Sequence, residues 1–204
     1  MAVNLVKGQK VDLRKSDGGT LRHVMVGLGW DEAERNTSGG FLSGIFGGKK
    51  KHNIDCDASV FVCRNGKLTS DPEDIVYFGH LEHKSGAVRH MGDNLTGAGE
   101  GDDEQVYVDL DKLPSDCDRI IFVVNIYKAR ERSQHFGTIR NAFIRICDND
   151  NRQELLRYNL SENYDGMTAM VFGEIYLRNG QWKFSAVGQA TTDNTIDELA
   201  QRFM

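Results

Sequence analysis

No stretch of this chain approaches the ~18–20 uninterrupted apolar residues that a membrane-spanning helix needs. Its start, MAVNLVKGQK, has no basic segment leading into an apolar run of about 7–15 residues, which argues against a secretory signal. Basic charge is not in excess: 25 Lys+Arg face 30 Asp+Glu, a formal net charge of -5. Broad nucleic-acid binding requires the opposite balance, so nucleic acid is not an expected partner. The four cysteines, Cys56, Cys63, Cys117 and Cys147, include no CxxC pair. A disulfide framework belongs to short secreted chains, so these read as reduced, mostly buried thiols of a cytoplasmic protein. His52 with Cys56 and Cys63 fits no zinc spacing. His80, His83 and His90 fall in a polar connecting stretch and read as solvent-exposed imidazoles rather than a metal cluster. No GxSxG marks a nucleophile, and no histidine is placed beside the acidic motifs, so the expectation is a protein that is not an enzyme.

The 204 residues are 27% charged and 39% hydrophobic, ordinary for a globular protein. An all-β chain of this length is commonly one domain, and residues 1–204 are expected to form one. Glycine is abundant at 22 and proline scarce at 2. Short β-branched or aromatic runs bounded by Gly, Asn and Asp mark strands joined by turns. The clearest lie at 21–28, 58–63, 75–78, 106–110, 120–127, 142–147, 169–176 and 182–187. Asn179-Gly180 separates the last two and predicts a tight hairpin, because both residues adopt positive φ readily. In EQVYVDL, Glu104, Val106, Val108 and Leu110 share one face. IIFVVNIY is apolar on both faces apart from Asn125, which predicts a central strand of a layered core. Helical pattern is sparse: a turn at 129–134, and 195–203 with Thr195 and Glu198 as a capping box and Ile196, Leu199, Ala200 and Phe203 on one stripe. The fold class expected is an all-β sandwich of two sheets with a short C-terminal helix.

Residues 36–53, NTSGGFLSGIFGGKKKHN, break this rhythm with five glycines, four large apolar residues (Phe41, Leu42, Ile45, Phe46) and a Lys49–Lys50–Lys51 run. The simpler reading is a surface loop, since glycine-rich sequence costs much entropy to order. The other is a contact element at 41–51 for a partner or an anionic membrane surface.

The chemistry concentrates at 92–104, GDNLTGAGEGDDE. Asp93, Glu100, Asp102, Asp103 and Glu104 stand there with Asn94, Thr96 and four glycines. Like charges this close repel, and glycines let carbonyls turn inward, both of which suit a hard cation. Calcium takes about 6–8 oxygens in irregular geometry, whereas magnesium demands a near-octahedral shell. The plainer alternative is a solvated acidic loop. No EF-hand is present: from Asp93 the third and fifth positions are Leu95 and Gly97, and from Asp148 the template fails at Arg152 and Gln153. Asp55 and Asp57 open the strand ASVFVC, and their spacing of two puts both on one face. Asp31 ends the run GLGWD. Adjacent Asp102 and Asp103 would point to opposite faces of an extended chain, with Glu104 on the face of Asp102.

These elements resemble the TerD family of tellurium-resistance and calcium-binding stress proteins. The resemblance rests on VNLVKGQKVDL, GLGWD, IDCDAS, GDNLTGAGEGDDE, IIFVVNIY, NAFIRICDND, ELLRYNLSE and TAMVFGEIYLRNGQWKFSAVGQ, in order over nearly the whole chain. It implies a two-sheet β-sandwich with acidic loops holding calcium, two ions, at one end. The family's DxDAS falls on Asp55, Asp57, Ala58 and Ser59, its GDN on Gly92, Asp93 and Asn94, and its GDDE on Gly101, Asp102, Asp103 and Glu104. The aspartate of GWD is Asp31. Family members often carry a glutamate and an aspartate where Ala98 and Glu100 stand here, so position 98 offers no carboxylate. Cys56 replaces an apolar residue between the two aspartates. The function implied is a calcium-dependent stress-response module acting through other stress and tellurium-resistance proteins. Its competitors are a metal-dependent hydrolase using the acidic cluster and a calcium-dependent membrane-surface binder.

Overall fold

The computed structural model describes residues 2–32, 54–92 and 101–204. The glycine-rich segment at 36–53, with residues 41–51, therefore lies outside the described residues, as do Asp93, Asn94 and Glu100.

Two six-stranded sheets face each other. The first runs β1 (Val3–Leu5), β10 (Gln153–Asn159), β9 (Ile139–Asp148), β3 (His23–Glu32), β7 (Glu104–Asp109), β6 (Val88–His90). The second runs β2 (Lys10–Asp12), β12 (Gln181–Thr191), β11 (Ala169–Arg178), β8 (Cys117–Ile126), β4 (Cys56–Arg64), β5 (Ile75–Val76). Neighbours pair antiparallel except β1 on β10. The expected sandwich is what forms, and all eight runs read from the sequence lie in or against strands. Asn179 at φ 53° and Gly180 at φ 71° close the β11–β12 hairpin, with Arg178 opposite Gln181.

The main core fills the space between the sheets. Val24, Val26 and Leu28 of β3 and Val106 and Val108 of β7 meet Ala58, Val60 and Val62 of β4 and Phe122 and Val124 of β8. Alternation then leaves Phe61, Ile121 and Val123 on the outer face of the second sheet, and that face is covered too. The C-terminal helix α2 (Ile196–Ala200) lays Leu199 and Ala200 on it, with Ile196 and Phe203 beside them. This second layer is why β8 is apolar on both faces. Thr195 caps α2 by accepting from Glu198 N at 3.1 Å, and Glu198 accepts from Asn194 N at 2.8 Å. A one-turn helix α1 (Ala129–Arg132) follows β8. Among the described residues no helix is long and apolar enough to cross a membrane.

One expectation is corrected. His83 and His90 are not solvent-exposed; each retains 1% of its surface. Alternation in β6 turns Val88 and His90 inward and Arg89 outward.

Candidate metal centre

Strand pairing brings most of the acidic residues to one end of the sandwich. Leu28 of β3 lies opposite Glu104 of β7, and Cys56 of β4 lies opposite Ile126 of β8. The end of β3 and the starts of β4 and β7 therefore share that end.

Asp103 is captured there by backbone groups. Its N–H donates to Leu28 O at 2.8 Å, and its Oδ2 accepts from Trp30 N at 2.6 Å. The residue is 8% exposed. Burial pushes its carboxyl up; the Trp30 N–H opposes this, while Asp31 and Asp102 push the same way as burial. Among the described residues it forms no ion pair.

Glu104, 3% exposed, crosses between the sheets. Its Oε2 accepts from Ala58 N of β4 at 2.9 Å and from His90 Nε2 at 3.0 Å. The proton on His90 Nε2 is assigned from its partner nitrogen: Nδ1 accepts from Gly92 N at 3.0 Å and so carries none. Sequence reasoning missed this histidine beside an acidic motif. The period-two pattern from Val88 to His90 is the signal that would have found it.

Asp55 and Asp57 flank the core-facing Cys56. Asp55 Oδ2 lies 3.3 Å from Arg132 Nη1, and its carbonyl accepts from Tyr127 N at 2.7 Å. Asp57 is 7% exposed on the outer face, in register with Asn125. The thiol of Cys56 senses the whole group. Burial pushes it well above the ordinary range, followed by Asp57, Glu104, Asp55 and Asp103. Asp31 is exposed at the end of β3, and its Oδ2 accepts from Asn141 Nδ2 at 2.7 Å.

Asp102 is not brought to these residues. It lies on the outer face of the first sheet, its side chain fully buried under Arg145. Arg145 Nε and Nη2 donate to its two oxygens at 2.7 and 2.8 Å, and Gln105 Nε2 donates at 3.0 Å. Asp102 holds the Arg145 guanidinium above its ordinary range. The glycine of GLGWD at position 27 makes the room: a Cβ there would sit 2.3–2.4 Å from the Asp102 carboxylate. Gly29 likewise clears the ring of Phe143, which a Cβ would meet at 2.4 Å. Asp103 sits in a bend rather than an extended run, so Glu104 faces inward with Val106 and not with Asp102. Among the described residues no three His, Cys, Asp or Glu side chains form a ready-made metal cluster. The oxygens of Asp31, Asp55, Asp57, Asp103 and Glu104 are of the kind a hard cation takes, and Asp103, buried and with no ion pair among the described residues, is the clearest unmet charge among them.

All four cysteines are buried and unpaired. Burial is the first cause raising each, to about 12 for Cys63 and about 11 for Cys117 and Cys147. Thiols so protonated are poor nucleophiles and metal ligands.

Comparison with known proteins follows the same lines. The TerD domain matches residues 1–203. Stress response protein SCP2 of Bacillus subtilis (strain 168) is 50% identical over 204 residues, covering 100% of both chains. Tellurium resistance protein TerD of Serratia marcescens is 43% identical over 202 residues, 98% of this chain and 97% of that protein. The crystal structure of a homologue of telluride resistance protein (TerD) from Streptomyces coelicolor A3(2) superposes with a TM-score of 0.64 at 19% identity. It covers 91% of this chain and 99% of that one, a likeness of fold.

Proposed function

The chain belongs to the TerD family, whose relatives named above are stress-response and tellurium-resistance proteins, and from that premise we propose that it is a calcium-binding module of that stress response. The observation that carries the reading is Asp103: a buried carboxylate with like charges near it and, among the described residues, no cation set against it. A buried charge left so costs several kcal/mol, of order, unless a counter-charge arrives. Asp31, Asp55, Asp57 and Asp103 are the ligands we assign, with Glu104 at the edge and Asp93 and Asn94 from the acidic motif. Calcium, when bound, supplies the positive charge this donor set needs. The residues themselves do the rest. Glu104 ties β7 to β4 through Ala58 N, and Asp102 with Arg145 fixes the chain just before Asp103. Neutralising the acids removes their mutual repulsion, so this end can present a surface to partner proteins, other members of the stress and tellurium-resistance system in the cytoplasm. His90, almost fully buried, serves in this reading as a strut for Glu104.

Calorimetric titration with calcium tests the proposal. Saturable binding, with magnesium distinctly weaker, is expected; a chain that takes up no calcium at millimolar concentration overturns it.

A further inference from the structure

On the outer face of the second sheet, between β4, β8 and the two short helices, lies a cavity of about 520 Å³. That is within the range of small-molecule sites, roughly 300–1,000 Å³. Two features separate it from an ordinary surface cleft. Its floor holds Ser59 of β4 and Asn125 of β8, 2% and 7% exposed, and among the described residues neither side chain makes a hydrogen bond. Beside it that face is apolar and lies under α2, with Phe61, Ile121 and Val123 packed against Leu199 and Ala200. The polar atoms of Ser59 and Asn125 open on to the cavity rather than being sealed in the core, so a guest can reach them. Three rings, Tyr77, Phe78 and Tyr127, line the cavity beside a charged rim, with Phe78 51% and Tyr127 41% exposed. Exposed rings around a polar floor suit a flat guest, which stacks on the rings and turns a polar edge to the floor.

The chemistry of that edge follows from Asn125. A carboxamide presents a donor and an acceptor side by side, and its complement is a ring with an acceptor nitrogen next to an amino group. Three acids, Asp57, Glu131 and Glu198, line the cavity against two cations, Lys128 and Arg130, a balance that disfavours an anionic guest. We propose that this cavity binds a neutral or cationic amino-heteroaromatic ring, its N=C–NH2 edge on Asn125 and Ser59 and its faces against Tyr77, Phe78 and Tyr127. The site shares Asp57 with the proposed calcium ligands but does not rest on them.

The test is a titration of ¹⁵N-labelled protein in chelator with 2-aminopyridine and adenine as probes and benzoate as an anionic control of similar shape. The side-chain amide pair of Asn125, identified by its loss in Asn125→Leu, and the backbone amides of Ser59 and Tyr127 should shift saturably with both probes and not with benzoate. Asn125→Leu and, separately, Phe78→Ala should each weaken 2-aminopyridine binding at least fivefold. Phe78 is half exposed, so that variant keeps the fold. No shifts, equal shifts with benzoate, or unchanged affinity in both variants overturns the proposal. Shifts in a chain that binds no calcium would support the cavity while removing the metal reading.

Discussion

Asp102 and Arg145, 43 residues apart in sequence, form a two-pronged ion pair at 2.7 and 2.8 Å on the outer face of the first sheet. The pair fixes the chain immediately before Asp103. Asp102→Asn should therefore act on the fold: it removes one charge of a bidentate pair and should cost about 2 kcal/mol in denaturant unfolding. Calcium affinity should stay within about threefold of wild type, well under 1 kcal/mol.

The pair predicts the effect of a change at Gly27 as well. A methyl group there would collide with the Asp102 carboxylate. Gly27→Ala should destabilise by an amount similar to Asp102→Asn. The double variant should lose clearly less than the sum, because both act on the same contact. A double-mutant cycle by chemical denaturation checks this.

A second buried network governs acid stability. Burial pushes the Asp74 carboxyl up, but Arg64, Thr69 and His83 hydrogen-bond to it and together hold it below the ordinary carboxylate range. A folded-state value below the unfolded one means the unfolded chain binds the proton more readily. The stability is present above pH about 4 and is lost as pH falls through the lowered folded value. Asp74→Asn should therefore cost about 2–3 kcal/mol at pH 7 and progressively less as the wild type is acidified. Thermal midpoints of both proteins from pH 7 to 3 would show the gap closing; a constant gap would contradict it.

Among the proposed ligands, Asp57 and Asp55 should differ. Asp55 shares its charge with Arg132, whereas Asp57 is buried beside Asn125. Asp57→Asn should weaken calcium binding more than tenfold, more than about 1.4 kcal/mol, and Asp55→Asn by less. Calorimetry of the two variants ranks them.

The long strands were legible because they carry their pattern locally. IIFVVNIY declares burial on two faces, and Asn179-Gly180 declares its hairpin. The short strands β1 and β2 hold three residues each, too few for a period to emerge, and β10 is broken by a register shift between Glu154 and Leu156. For the site, the acidic motif shows in sequence which residues matter but not where each points. Asp102 meets Arg145 across 43 positions, and the bend at Asp103 turns Glu104 inward, so both depend on tertiary structure rather than on spacing. His90 is the instructive miss: polar neighbours suggested exposure, while alternation with Val88 placed it against Glu104.

The most direct test of calcium binding at this end of the sandwich compares wild type with Asp103→Asn by thermal unfolding in chelator and in calcium, with affinity from calorimetry. The amide keeps an oxygen for the Trp30 N–H and sheds a buried charge. In chelator the variant should be at least as stable as wild type. Calcium at a hundredfold excess over Kd should stabilise wild type by about 2.7 kcal/mol, and the variant should bind it more than tenfold more weakly. A wild-type midpoint identical in chelator and in millimolar calcium, or a variant that binds calcium as tightly as wild type, would contradict the account.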